Sequence, residues 1–214
     1  MGMLRERLRY IWVSHFAKPA TLRRLHRTIR RRQVKRILEF GIGDCSRAVA
    51  LTRTAAMPGG AGEVIYAAVD LFEARPALHI AADVDSGDGT EATPPLSLKD
   101  AYRRLKQTGA QVRLLPGDPY SALSRGANDL GQVDLIVLGA EQSPESLGDA
   151  WFYVPRLLHE QTEIWTVRRD EAGELIHAPL PLSEVDALVR AAELRRRAAS
   201  LGAHDRGSSR RRAA

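Results

Sequence analysis

Short runs dominated by apolar residues, at 37–40, 64–69, 112–115, 133–138 and 163–167, punctuate the chain. Runs of this length with little polar alternation fit strands of a parallel sheet buried on both faces. Between them the apolar positions move to a spacing of three and four. That spacing predicts helices over 46–56, 96–108 and 120–130, a helical aromatic stretch over 147–159, and a final helix over 182–199 opening at Ser183. Gly109 is the expected stop of the 96–108 helix, and Pro58, Gly59, Gly60 and Gly62 mark a turn before the second strand. A short sixth strand is expected at 174–177. Strands and helices alternating in this way predict an α/β fold, a doubly wound, mostly parallel sheet with its ligand site at the strands' carboxyl ends.

Ahead of the first strand the pattern is helical and basic. Leu4, Leu8, Ile11, Trp12 and Phe16 fall on one face of a segment over 3–16, with Arg5, Arg7 and Arg9 away from it. The apolar face is expected to pack on the chain's own domain. After Pro19, a second helix over 21–33 has Thr21 as its expected cap, with Leu22, Leu25 and Ile29 facing inward and six arginines facing outward. These residues make an expected basic N-terminal extension over 1–33, ahead of a ligand-binding domain over 34–200 and a disordered Arg-rich tail over 201–214.

Charge sharpens that division. The net charge of +6 is the balance of +11 over 1–36, +6 over 189–214 and −11 over the middle of the chain. Basic ends of this kind can contact RNA or another polyanion through screened electrostatics. One cysteine excludes an internal disulfide and suits a reducing compartment, and no stretch reaches the roughly 18 apolar residues of a membrane span. A cytoplasmic protein is expected. The acidic stretch 83–95 begins like a calcium loop, but Asp88 stands where that loop needs glycine and Pro94 where it needs glutamate, so a solvated insertion is expected. His79, His159 and His177 lack ligand spacing, and no metal site is expected.

The chemistry concentrates where the first strand ends, in Glu39-Phe40-Gly41-Ile42-Gly43-Asp44-Cys45-Ser46. A strand, a glycine turn and a helix N-terminus form a ligand cradle, since glycines let a ligand approach the backbone and the first helical N–H groups face it. A nicotinamide site would want G-x-G-x-x-G, but Ser46 stands at the third glycine and an acid precedes the turn. The second strand ends on Asp70, which suits bidentate contact with ribose hydroxyls, and the third is followed by Gly117-Asp118. In this order and spacing, over roughly 34–168, the acid-x-Gly-x-Gly turn, Asp70 and Gly117-Asp118 resemble the class I S-adenosylmethionine-dependent methyltransferases.

That resemblance implies a Rossmann-like fold with N-terminal helices and a reduced C-terminal strand region, S-adenosyl-L-methionine as methyl donor, and transfer of its methyl group to a nucleophile. It implies donor contacts at Glu39, Gly41, Gly43, Cys45, Asp70, Leu71, Gly117 and Asp118, with Cys45 in place of the family's third glycine. It also implies that the helix before the first strand helps to cover the donor. Glu141, after the fourth strand, is the candidate base if one is needed, although its loop Gly139-Ala140-Glu141-Gln142-Ser143-Pro144 lacks the Asn/Asp-Pro-Pro-Tyr run of amino-methylating enzymes. The acceptor stays open among a small molecule, a protein or RNA. A catalytically inactive binding module of the same fold, with basic arms on RNA, and an NAD-dependent oxidoreductase are the alternatives. Cys45 also offers a second chemistry, because a helix N-terminus lowers a thiol's pKa.

Overall fold

The computed structural model describes residues 20–57, 63–74, 96–169 and 175–211, together with Leu8, Glu171 and Gly173. The expected 3–16 segment, apart from Leu8, and the expected turn at 58–62 and loop at 83–95 lie outside these residues. Leu8 itself is exposed.

Six strands form one sheet: β1 (Arg36–Phe40), β2 (Ile65–Asp70), β3 (Gln111–Pro116), β4 (Leu135–Leu138), β5 (Glu163–Arg169) and β6 (Leu175–Pro179). Their order is β3-β2-β1-β4-β5-β6. The first five run parallel, and β6 runs antiparallel to β5 with Pro179 opposite Trp165. The expected fold class is therefore the observed one, a doubly wound sheet whose C-terminal strand region is reduced to a single antiparallel strand.

Unbroken apolar strands follow from this arrangement, because successive side chains point to opposite faces and both faces are covered. On one face Leu38, Phe40, Val69, Ile136 and Ile164 pack with α4 (Pro119–Leu130), α5 (Leu182–Arg211) and Trp151. On the other, Ile37, Tyr66, Leu135, Val137 and Trp165 pack with α1 (Ala20–Arg32), α2 (Ser46–Ala56) and α3 (Leu98–Lys106).

Local chemistry sets several of the ends. Ser97 caps α3 by accepting from the Asp100 N–H at 3.1 Å, and Asp118 caps α4 by accepting from the Ser121 N–H at 3.0 Å. Pro119 follows Asp118 at the start of α4, where a missing N–H does no harm.

Four expectations change. Leu25 and Ile29 are fully buried in the core, so α1 belongs to the domain instead of preceding it as an extension. Ala20 is already helical, which places Thr21 inside α1, not at its cap. The aromatic stretch forms two 3-10 helices, Glu145–Phe152 and Val154–Leu157, because Gly148 at φ +52° breaks the first and Pro155 fixes the start of the second. The last helix, expected over 182–199 with a disordered tail behind it, continues to Arg211, and Ser183 lies within its first turn.

Candidate functional site

Strand order reverses direction between β1 and β4, and in open α/β sheets a ligand crevice forms outside the carboxyl ends at such a point. There the Gly41 N–H extends the sheet by bonding the Val69 carbonyl at 2.9 Å, and the chain then turns through Gly41 at φ +72° and Gly43 at φ +56°. Cys45, at φ +71°, completes the turn in the left-handed region that glycine favours. The Ser46 N–H at the head of α2 donates to Asp44 Oδ1 at 2.9 Å, and Arg104 of α3 donates to the Asp44 carbonyl at 3.1 Å. The turn is thus held from its own sequence and from across the crevice.

Beneath it lies the buried charge of Glu39, which the family resemblance counts among the donor contacts. Glu39 is fully buried, and both its oxygens are taken from within the protein. Arg47 Nε donates to Oε1 at 2.6 Å and the Tyr66 hydroxyl donates to Oε2 at 2.6 Å. Arg47 Nη2 also donates to the Gly41 carbonyl at 2.8 Å, so one guanidinium joins the strand's acid to the turn above it. Burial together with the Glu39 charge raises the Tyr66 pKa well above its ordinary value, so that hydroxyl is a fixed donor. Glu39 acts on the turn through Arg47.

Asp70 is the second fixed point. Its Oδ2 accepts from the Ile42 N–H at 2.7 Å and its Oδ1 from the Phe72 N–H at 2.7 Å. The acid at the end of β2 therefore fastens the middle of the glycine turn and orders its own following residues, where Phe72 takes φ +49°. Leu71 lies between them, half-buried. The Gly117 N–H donates to the Asp70 carbonyl at 2.9 Å, which brings the Gly117-Asp118 turn alongside. Asp118 is exposed, and the hydrogen bonds from Ser121 lower its pKa and keep it ionised.

The β4 loop closes the crevice's other side. The Gly139 N–H donates to the Phe40 carbonyl at 2.7 Å. A Cβ at Gly139 would overlap the Gly41 carbonyl and would lie 2.9 Å from Arg47 Nη2 and 3.0 Å from the Phe40 carbonyl, so only glycine fits. Gln142 lays its side chain over the turn, its Cγ 3.0 Å from where a Gly41 Cβ would stand. Glu141 precedes it, half-buried.

Glu39, Gly41, Gly43, Cys45, Asp70, Leu71, Gly117, Asp118 and Glu141 all lie at or just beyond the carboxyl ends of β1 to β4. The thiol chemistry is a correction. Cys45 is completely buried, and burial, reinforced by the Glu39 charge, pushes its pKa up to about 12, which overrides the helix N-terminus and removes it as a nucleophile. The C-terminal end of α1 lies at the amino ends of the strands, where Arg32 pairs with Glu163, the first residue of β5.

Arg47, Tyr66 and Gln142 escaped the sequence reading. A signal existed for two of them. A cation in the first turn of a helix opposes the helix dipole, and a tyrosine within an apolar strand needs a partner for its hydroxyl. Among the described residues no group of three or more His, Cys, Asp or Glu side chains could hold a metal ion, and no helix is long and apolar enough to cross a membrane.

No protein-family model matches the chain, and no curated protein matches it in sequence. Solved structures similar to it include an O-methyltransferase from Bacillus cereus in complex with SAH, at 15% identity and a TM-score of 0.49, covering 90% of this chain and 76% of that one. Cofactor-bound Rv0187 from MTB shares 16% identity over 91% of this chain and 77% of that one, with a TM-score of 0.44. The O-methyltransferase TomG from Streptomyces achromogenes, in complex with SAM, shares 17% identity over 79% of this chain and 65% of that one, with a TM-score of 0.41.

Proposed function

We propose that this chain is an S-adenosylmethionine-dependent methyltransferase, with its donor lying across the carboxyl ends of β1, β2 and β3. The observation that carries the reading is Asp70, whose two oxygens each accept one backbone N–H, from Ile42 and Phe72. A carboxylate held at the end of β2 beside the glycine turn is chemically suited to neighbouring ribose hydroxyls, which donate to it as a pair.

The chain's residues fit the remaining parts of such a donor in graded fashion. Gly41 and Gly43 keep the turn free of side chains, so a ligand can meet the backbone. Asp118, ionised and exposed, can accept from an adenine amino group while capping α4, and Leu71 borders the same end. Cys45 contributes a small buried side chain beside the turn. Glu39 does not fit the role of partner to the donor's ammonium, because Arg47 and Tyr66 already satisfy it; it holds the turn in shape instead. The donor supplies an electrophilic methyl group on a sulfonium sulfur. The protein's work is then to align an acceptor nucleophile with it, which proximity can drive without a dedicated base when the nucleophile is already good. Where a proton must leave, Glu141 on the β4 loop is the candidate acceptor. We also read the protein as cytoplasmic, in keeping with a lone buried thiol.

Calorimetry with S-adenosylmethionine and, separately, NAD tests this. Binding of the first and not the second is expected, with at least tenfold weaker donor binding in Asp70→Ala. A well-folded chain that ignores the donor at millimolar concentration refutes the assignment, and NAD binding in its place favours the oxidoreductase.

A further inference from the structure

Away from the glycine turn, the outer face of α1 carries a second concentration of charge. Arg24, Arg27, Arg30 and Arg31 line a groove of about 780 Å³ whose other wall is Trp165 of β5 and Pro179 of β6. Arg30 is tied to the Met57 carbonyl at 3.1 Å. Arg24, Arg27 and Arg31 are exposed, and among the described residues none of the three has a carboxylate partner. Cations three and four residues apart on one helix repel each other, so a fold that places them together without counter-charges is poised for an anion from outside.

We infer that this groove binds the phosphate backbone of a single-stranded polynucleotide. From Arg24 to Arg31 the helix rises about 10 Å, the length of roughly three phosphates on one stacked strand. Guanidinium groups match phosphate oxygens in pairs, which a row of lysines would not do. The opposite wall is apolar: Pro179 is exposed, and Trp165, although nearly buried, contributes to the lining. Such a wall suits a sugar or base edge on the strand's far side. The groove lies toward the amino ends of the strands, since Arg32 one residue further on pairs with Glu163 at the start of β5. It is independent of the methyl-donor reading and does not rest on it.

Fluorescence anisotropy of labelled twelve-residue oligo-U and oligo-dT with the full chain provides the test, repeated from 50 to 300 mM salt. The comparison is with Arg24→Gln/Arg27→Gln/Arg31→Gln and with an equal charge removal on α5, Arg190→Gln/Arg197→Gln/Arg206→Gln. Removing three phosphate contacts lowers the slope of log affinity against log salt by about 2. The groove variant should show that loss and at least tenfold weaker binding at 50 mM salt, with the α5 variant affected less. An Arg→Lys version of the groove triple should keep most of the salt slope but bind more weakly than the parent. Preference for oligo-U over oligo-dT would identify RNA as the source of the phosphates, and equal binding would make the groove indifferent to the sugar. The inference is overturned if the parent chain binds neither strand, if both triples lose the same amount, or if duplex or phosphatidylserine vesicles bind as tightly as the single strands. Donor calorimetry on the groove variant should match the parent, which keeps the two readings separable.

Discussion

Removing Arg47 while leaving Glu39 in place tests the idea that a buried ion pair shapes the glycine turn. The Glu39 carboxylate is completely buried, and the Arg47 guanidinium reaches it at 2.6 Å. In Arg47→Met the methylenes remain but the charge does not, so the interior holds an acid with only the Tyr66 hydroxyl on it. Breaking a buried pair from one side destabilises by about 3–5 kcal/mol. A stranded carboxylate can instead take up a proton, which at pH 7 costs about 1.4 kcal/mol for each pH unit above the ordinary carboxylate range, or roughly 4 kcal/mol in all. The two routes give similar magnitudes, so a loss of 3–4 kcal/mol is expected in urea or guanidinium unfolding at pH 7. The second route adds a signature, because proton uptake becomes easier as pH falls. At pH 5 the deficit relative to the parent should shrink to about 1 kcal/mol. Adding Glu39→Gln should recover most of the pH 7 loss, since no charge is then left unpaired, and the double-mutant cycle should show strong coupling. A deficit below 1 kcal/mol at pH 7, or one that does not change between pH 7 and 5, refutes the argument.

Two further outcomes follow from the same geometry. Gly139→Ala places a methyl group against the Gly41 and Phe40 carbonyls and Arg47, so it should destabilise by at least 2–3 kcal/mol in chemical unfolding and weaken donor binding together, whereas an alanine at an ordinary loop glycine would do neither. His26, bonded to Thr54 Oγ1 at 2.7 Å, and His177 are buried, and burial lowers each pKa to about 4. Because the unfolded chain binds protons that the folded one refuses, the stability they support is complete above about pH 6.5 and is lost as pH falls toward 4; at pH 5 each histidine accounts for about 2 kcal/mol, and His26→Gln should lose correspondingly less between pH 7 and 5.

Most of the sheet was legible because a strand covered on both faces leaves an apolar run that no other element of that length produces. The strands found differ from those expected by one or two residues at their ends, where hydrogen bonding to neighbours decides the limit; Asp134, expected inside β4, instead accepts from the Lys35 and Arg36 N–H groups at 2.7 and 2.8 Å just before it. The 3-10 stretch was misread because its aromatics fit a helical spacing while Gly148 and Pro155 spoil the backbone for a continuous α-helix. The local context of Cys45 favours a thiolate, and only its tertiary surroundings show that the side chain is completely buried and its pKa raised.

The sequence by itself determined the order of strands and helices, the glycine turn at the end of β1 and the acids at the ends of β2 and β3, since each of these depends on neighbours within a few residues. Tertiary structure alone decided which charges stay available. Glu39 meets Arg47 eight residues on and Tyr66 twenty-seven residues on, Asp70 meets Ile42 across two strands, and Gly139 touches the turn from β4. Electrostatic energy depends on distance through space and on exclusion of water, and neither can be read from separation along the chain.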